Sequence, residues 1–302
     1  MAFRLIDQER SHHPVSLLCS VLKVTRQGYY ASKQRRPSAR RIRDEELKPA
    51  ILALYEKSRD TYGAPRMTKR LRIEQEIRIG CKRAARLMRE LGIRGCSRGM
   101  GKPRTTIPDK QAPVAPDLLN RDFTATRPDQ KWVADITYIP TYEGWLFLAA
   151  VNDVYSRKIV GWSMRDNLEA EIVADAIGMA VGRRQPKDGV IHHSDRGSQY
   201  TSMLCGRTLK DAGIVASMGS IGDPWDNAMM ESAIGTVKAE LVDRHVFRSK
   251  DQARLAVFDY IESFYNPIRA HSALDYLSPD EHEAAYHRRE EEEATEQLGE
   301  AA

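Results

Sequence analysis

The order of strand-like and helix-like segments after residue 130 is the feature that most constrains the fold of this chain. The strand-like segments are rich in β-branched and aromatic residues, and the helix-like ones place apolar residues at helical spacing. The five predicted strands cover residues 131–140, 145–156, 157–164, 189–195 and 213–218. Predicted helices cover 168–184, 199–212 and about 227–242, with two more near 250–264 and 279–289. This order predicts an α/β fold with a mixed five-stranded sheet flanked by helices.

The order β-β-β-α-β-α-β-α is that of a ribonuclease-H-like core, and a helical region precedes it. Two short helices are predicted within 14–32, with Thr25 as the N-cap of the second, and 33–43 has the composition of a basic linker. Two more, at 65–74 and 81–92, are separated by a short break, which is typical of a helix-turn-helix. The predicted regions are an N-terminal helical hairpin (1–32), a helix-turn-helix-like basic DNA-binding region (33–95), a linker (96–127), the catalytic core with C-terminal helices (128–289) and an acidic tail (290–302).

Charge is distributed unevenly along the chain. Residues 1–130 hold 29 Lys and Arg against 14 Asp and Glu, whereas residues 131–302 hold 18 against 28. A basic front half favours a polyanionic partner such as double-stranded DNA. Within it, the predicted helix at 81–92 carries Lys82, Arg83, Arg86 and Arg89, which could contact DNA phosphates. The alternative is an amphipathic helix with a solvated basic face.

Three acidic residues in the rear half predict a divalent-metal site. Asp135 lies inside an apolar strand, where an unpaired charge is costly. Asp195 ends the strand predicted next to it, and Glu231 lies on the helix after a Gly/Pro-rich loop. Oxygen ligands suit Mg²⁺ or Mn²⁺, and two such ions can promote phosphodiester cleavage and transfer. Lys238 lies seven residues after Glu231 and thus on the same helix face, where it could hold the DNA backbone.

Other classes of protein are disfavoured by composition. No apolar run approaches the length of a membrane span, and the first residues lack the apolar stretch of a secretory signal. We therefore expect a cytoplasmic protein without a membrane partner. The four cysteines are scattered and form no CxxC pair, so neither a disulfide framework nor structural zinc is expected.

Five stretches of the sequence resemble the transposases of bacterial insertion sequences that are read from the second of two overlapping frames (OrfB). These proteins carry a retroviral-integrase-like catalytic core of the DDE family. The stretches are YGAPRM at 62–67, WVADITYI at 132–139, HHSDRGSQYTS at 192–202, DNAMMES at 226–232 and FYNPIRAHSAL at 264–274. The resemblance implies that Asp135, Asp195 and Glu231 form the catalytic, metal-binding triad and that Lys238 contacts DNA. It also suggests that Asp226 and Asn227 shape the preceding loop or touch DNA.

The leading functional hypothesis is a DDE transposase subunit that performs Mg²⁺-dependent cleavage at the ends of an insertion sequence and strand transfer into target DNA. The resemblance implies a homo-multimer on paired ends and an upstream-frame (OrfA) product as partner. The alternative is a DNA-binding regulatory subunit that is catalytically idle without that partner. A structure-specific nuclease ranks last, because such enzymes usually use four acids in another spacing.

Overall fold

The structure, a computed structural model, describes residues 2–34, 36–97, 115–187, 189–219 and 227–300. The chain divides into two compact units, residues 1–52 and 53–302. Within the described ranges, no helix combines the length and the apolar character that crossing a membrane requires.

The first unit begins with three short helices, α1 (Ala2–Glu9), α2 (Val15–Val21) and α3 (Arg26–Gln34). Ile6, Cys19 and Tyr29, one from each helix, form its buried core. Thr25 Oγ1 accepts a hydrogen bond from Gly28 N at 3.0 Å, as expected of an N-cap. The sequence predicted α2 and α3 but not α1, whose apolar residues are few and lie between charged ones.

Helix α4 (Ala39–Lys57) begins inside the stretch that was predicted to be a linker. The prediction for 33–43 is therefore wrong from Ala39 onward. Ser38 Oγ accepts a hydrogen bond from Arg41 N at 3.3 Å, and Lys48 pairs with Glu45 one turn away at 2.8 Å. A cap and local ion pairs thus support a helix where basic composition suggested none.

The second unit contains the predicted helix-turn-helix-like pair, α5 (Ala64–Gln75) and α6 (Cys81–Glu90). Helix α5 ends where Glu76 takes a left-handed conformation, with φ of 57°. The two helices pack against each other through apolar side chains on their facing sides, and those that are buried are Met67, Leu71, Ala84, Leu87 and Met88.

A mixed five-stranded sheet follows, as predicted. Its strands are β1 (Lys131–Thr141), β2 (Gly144–Asp153), β3 (Ile159–Arg165), β4 (Ile191–Ser194) and β5 (Val215–Met218). Their order in the sheet is β3-β2-β1-β4-β5. The first three strands are antiparallel neighbours, whereas β4 runs parallel to both β1 and β5. The long strand β1 therefore lies at the centre, with β4 beside it.

The helices of this sheet domain are α7 (Glu171–Arg184), α8 (Met203–Asp211), α9 (Ala228–Glu240), α10 (Lys250–Tyr260) and α11 (Pro279–Glu300). A π-helical turn at Ile261–Tyr265 continues α10. Helix α11 runs through the acidic segment after residue 289, where the sequence predicted a fraying end. Thr295 Oγ1 donates to the Glu291 carbonyl at 2.7 Å within this extension.

The main apolar core lies between the sheet and helices α7 and α8. Trp132 and Val151 contribute from the strands, and Ile172 and Ile177 from α7. Gly161 permits close packing, because a Cβ there would lie 2.2 Å from the Ala176 carbonyl oxygen. The core fixes the sheet and thereby the positions of residues at the strand ends.

Helix α5 and the loop before it contact segments from the end of the chain within the second unit. Arg70 binds both carboxylate oxygens of Glu281, at 2.6 and 2.9 Å. The Tyr62 hydroxyl accepts from Ala270 N at 2.7 Å and donates to the Ile268 carbonyl at 3.1 Å. The helix-turn-helix-like pair is thus part of the same compact unit as the sheet.

Candidate active site

Strand register places Asp135 and Asp195 side by side. In the parallel pair β1–β4, Val133 lies opposite His193. Asp135 follows two residues later within β1, and Asp195 follows two residues later just past the end of β4 at Ser194. Neighbouring strands are about 4.8 Å apart, which brings two carboxylates from distant parts of the sequence to one point at the carboxyl end of β4.

The pKa of Asp135 reflects this crowding. The pKa is raised from 3.8 to about 7: burial is the largest cause, the negative charges of Asp195 and then Glu231 add to it, and Lys238 acts to lower it. Asp135 Oδ1 accepts a hydrogen bond from Ile136 N at 2.8 Å, which also favours the charged form. All four predicted site residues therefore lie within electrostatic reach of one carboxyl group.

Asp195 is held by the turn that follows β4. Its Oδ1 accepts a hydrogen bond from Gly197 N at 3.0 Å. A Cβ at Gly197 would lie only 3.1 Å from that same oxygen, so a larger residue would press on the carboxylate. The next side chain, Arg196, donates from Nε to the Gly219 carbonyl at 2.7 Å and ties the turn to the end of β5.

Glu231 lies in the first turn of α9, and Asn227 is the residue immediately before that helix. The Asn227 side chain is 9% exposed, and its Nδ2 donates to the Ala134 carbonyl at 3.0 Å. The residue before Asp135 is thereby bonded to the residue before α9. This contact agrees with a role for Asn227 in shaping the site. Asp226 lies outside the described residues.

Lys238 lies over an aromatic ring on β1. Its Nζ is 4.4 Å from the ring centroid of Tyr138, which favours a cation–π contact. Tyr138 in turn meets Trp145 edge to face, with the ring centroids 4.8 Å apart. Trp145 is 52% exposed. The sequence predicted that Lys238 shares a face with Glu231, but it did not predict the aromatic support.

Tyr200 is a residue of this site that the sequence reasoning did not single out. Its side chain is buried, and its hydroxyl has no hydrogen-bond partner among the described residues. Burial and then the charges of Asp135 and Asp195 raise its pKa well above the ordinary value, so the phenol stays protonated. Its place in HHSDRGSQYTS was the available signal, since it lies five residues after Asp195.

The chemistry of these residues fits a divalent cation with oxygen ligands. The donors are carboxylate oxygens, and the charges of Asp195 and Glu231 add to burial in raising the pKa of Asp135. A cation between Asp135 and Asp195 would offset these charges. Across the described parts of the chain, no three His, Cys, Asp or Glu side chains lie in an arrangement that could hold a metal ion. The assignment of a three-carboxylate metal site remains a prediction.

The basic residues predicted on α6 differ in how they are presented. Lys82 and Arg89 are exposed, whereas Arg83 and Arg86 are partly covered. Arg86 pairs with Glu90 one turn later, with 2.6 Å between Nη1 and Oε1. The opposite side of α6 is buried, as expected of an amphipathic helix. DNA contact by this face stays a prediction.

Domain families match most of the second unit. Residues 125–224 and 212–279 match two families that are both described as an integrase core domain. Residues 42–100 match an HTH-like domain. These matches cover both the sheet with its carboxylates and the basic helix pair.

Several curated proteins are similar over nearly their whole length. The transposase for insertion sequence element IS629 of Shigella sonnei is 39% identical over 94% of this chain and 96% of its own. Transposase InsF for insertion sequence IS3A of Escherichia coli (strain K12) is 38% identical over 94% and 98%. An uncharacterized 31 kDa protein of insertion element IS600 from Shigella sonnei is 41% identical over 90% and 99%.

Proposed function

This chain belongs to the insertion-sequence transposases with an integrase core domain, and we propose that Asp135, Asp195 and Glu231 are the residues with which it cuts element ends and joins them to target DNA. The observation that supports the assignment is the β1–β4 register, which pairs Val133 with His193 and so brings Asp135 near the turn after β4 that carries Asp195. The family is metal-dependent. We propose Mg²⁺ or Mn²⁺ as the metal, with two ions in each site.

Each carboxylate has a definite task in this proposal. Asp135 and Asp195 would hold ions from the sheet, and Glu231 would do so from the first turn of α9. Two bound ions supply activation of the attacking oxygen and stabilisation of the leaving oxygen. The backbone amides of Ile136 and Gly197 orient the two aspartates through their hydrogen bonds. Tyr200 supplies a protonated hydroxyl beside the aspartates.

DNA is held beside the carboxylates by cationic groups in this proposal. Lys238 extends along the Tyr138 ring, so its ammonium is positioned for a phosphate next to the cleaved bond. Lys82, Arg83, Arg86 and Arg89 would contact phosphates farther along the duplex. The DNA partner comprises both the element ends and the target. We further propose a homo-multimer on paired ends, an upstream-frame product as partner, and activity in the bacterial cytoplasm.

Cleavage of DNA that carries the element's own ends tests the assignment. The purified chain with Mg²⁺ or Mn²⁺ is expected to nick the ends and transfer strands. Asp195→Asn and Glu231→Gln should each lower the rate by roughly 10³-fold or more, because catalytic groups act as a unit. Asp211→Asn, in an exposed acid of α8, is the matched control and should leave the rate unchanged.

Two outcomes would count against this assignment. Cutting by the Asp195→Asn variant at the normal rate would remove Asp195 from the active site. A wild-type chain that binds end DNA tightly but never cuts it would favour the idle regulatory subunit, and addition of the upstream-frame product then shows whether a partner restores cleavage.

A further inference from the structure

A second polar pocket lies behind the helix that carries Glu231. It has a volume of about 120 Å³, and one of its walls is the face of α9 that carries Met229, Ser232 and Thr236. In an α-helix these positions point roughly away from Glu231 and Lys238, so the pocket is on the far side of α9 from the carboxylates. It is a separate site, about one helix diameter, ~10 Å, from Glu231.

Positive charge exceeds negative charge around this pocket. Arg66, Arg157 and Arg269 all line it. Glu240 accepts hydrogen bonds from Arg269 at 2.7 Å through both carboxylate oxygens, and its carboxylate lies 3.5 Å from Arg66. In the described part of the chain, the guanidinium of Arg157 has neither a hydrogen bond nor an ion pair. The buried Asp153 also acts electrostatically on Arg157, so three cations face two carboxylates in a partly enclosed space, where charge is poorly screened.

Neutral groups in the same pocket are arranged as donors. Burial and the three neighbouring arginines hold the pKa of His271 well below its ordinary value, so its ring is neutral. Arg269 Nη1 lies 3.2 Å from His271 Nε2 and donates to it, which leaves the ring proton on Nδ1. A neutral imidazole can therefore offer an N–H to a ligand without adding to the charge.

Asn152 is a buried polar side chain in the wall of this pocket. It is 1% exposed, and its amide makes no hydrogen bond of good geometry in the described chain, although it acts on the Tyr265 hydroxyl as a donor. The amide lies close enough to Tyr265 to oppose the rise that burial causes in the pKa of that phenol. Buried amides without partners are costly, and a ligand that accepts a hydrogen bond would satisfy the Asn152 Nδ2.

The pocket brings together residues from three of the five resembling stretches that the carboxylate site does not use. Arg66 comes from YGAPRM, Ser232 from DNAMMES, and Arg269 and His271 from FYNPIRAHSAL. Its rim is formed by Ser272 and Ala273 of the last stretch, both exposed, so the pocket opens to solvent there. Residues separated by more than 200 positions thus converge on one basic pocket.

We propose that this pocket binds a phosphate group, and that the group is a backbone phosphate of bound DNA. A phosphate adds negative charge where arginines outnumber carboxylates, and it offers acceptor oxygens that Asn152 and His271 can use. A volume of about 120 Å³ admits a tetrahedral oxyanion, since a single water needs only about 10–15 Å³. The preference for an oxyanion follows from the pocket alone, whereas DNA as its source rests on the proposed function.

Inorganic phosphate is the first probe, used without DNA or metal. Phosphate should raise the melting temperature of the full chain above that in chloride of equal ionic strength. Ser272→Glu puts a carboxylate at the exposed rim, and Arg157→Gln removes the guanidinium that has no carboxylate partner. Both variants should lose the phosphate-dependent shift. Thr295→Glu, which adds the same charge on the exposed end of α11, should keep it.

Duplex DNA that carries an element end is the second probe. Ser272→Glu and Arg157→Gln should weaken its binding by roughly 10-fold, as expected for loss of a charge-assisted phosphate contact. The slope of log affinity against log salt concentration should fall by about one. If phosphate raises the melting temperature but the variants bind DNA as tightly as the wild type, the pocket binds an oxyanion and DNA is not its source. Absence of both effects would overturn the proposal. The cleavage assay above decides the proposed function independently.

Discussion

At the scale of single residues, the pKa of Asp135 links the stability of the protein to pH. This carboxyl ionises at 3.8 in its ordinary state and at about 7 in the fold. Between these values the folded chain holds a proton that the unfolded chain has lost. The contribution of protonated Asp135 to the free energy of unfolding is therefore complete below pH 3.8 and is lost as pH rises through 7.

Asp135→Asn should remove the free-energy cost of ionising this carboxyl in the fold, because an amide does not ionise. Above pH 7 and without divalent metal, we expect the variant to be more stable by about 1–2 kcal/mol, a figure reduced for the partial exposure of the side chain. The gain should shrink toward zero near pH 4. Thermal unfolding across this pH range measures it, with Asp211→Asn as control. A gain in stability that is the same at every pH would contradict the raised pKa of Asp135.

Residue types showed which carboxylates were unusual but not what surrounds them. Asp135 could be predicted because a charge inside an apolar strand needs a reason. Its approach to Asp195 depends on the β1–β4 register, which no local pattern encodes. The same holds for Tyr138 under Lys238 and for Tyr200 behind the aspartates. Contacts between distant segments arise only when the sheet has formed.

At the scale of elements, α6 shows how exposure refines a charge pattern. From the sequence alone, all four cations of α6 are equal candidates for phosphate contact. In the structure, Lys82 and Arg89 are exposed, whereas Arg86 is already paired with Glu90. Exposed cations keep their full attraction for phosphate, whereas a paired one must first break its ion pair. Elements could be predicted where apolar periodicity is strong, as in β1 and α7. The start of helix α4 was predicted to be a linker because a cap and ion pairs, and not periodicity, hold it.

Reversing the charge of both Lys82 and Arg89 to Glu should weaken binding of duplex DNA by roughly 10-fold or more and lower the salt dependence by about two ions. Fluorescence anisotropy over a salt series measures both quantities. Reversal of Lys210 and Arg288, exposed cations on α8 and α11, is the matched control. Equal effects of the two double variants would show that net charge, and not the α6 face, determines affinity.

At the scale of the whole molecule, the regions on either side of the predicted linker belong to one compact unit, and most of the linker itself lies outside the described residues. A Gly- and Pro-rich stretch near 96–127 favoured separate domains on either side. Instead, α5 contacts segments near the end of the chain, through Arg70 with Glu281 and Tyr62 with Ala270. Chain composition cannot predict such contacts, because they join residues more than 200 positions apart. One consequence is that α5 lines the same basic pocket as helix α9.

This arrangement predicts how α5 exchanges its backbone amides. The Arg70 side chain is 3% exposed and binds Glu74 at 2.7 Å as well as Glu281. In the wild type, amides of α5 should be protected from hydrogen exchange about as strongly as those of β1. Glu281→Gln leaves a buried guanidinium short of one carboxylate, so α5 should exchange roughly 10-fold faster or more while β1 changes less. Glu56→Gln, in an exposed residue of α4, should change neither. Weak protection of α5 in the wild type would contradict docking, since an undocked helix of this length opens readily in water.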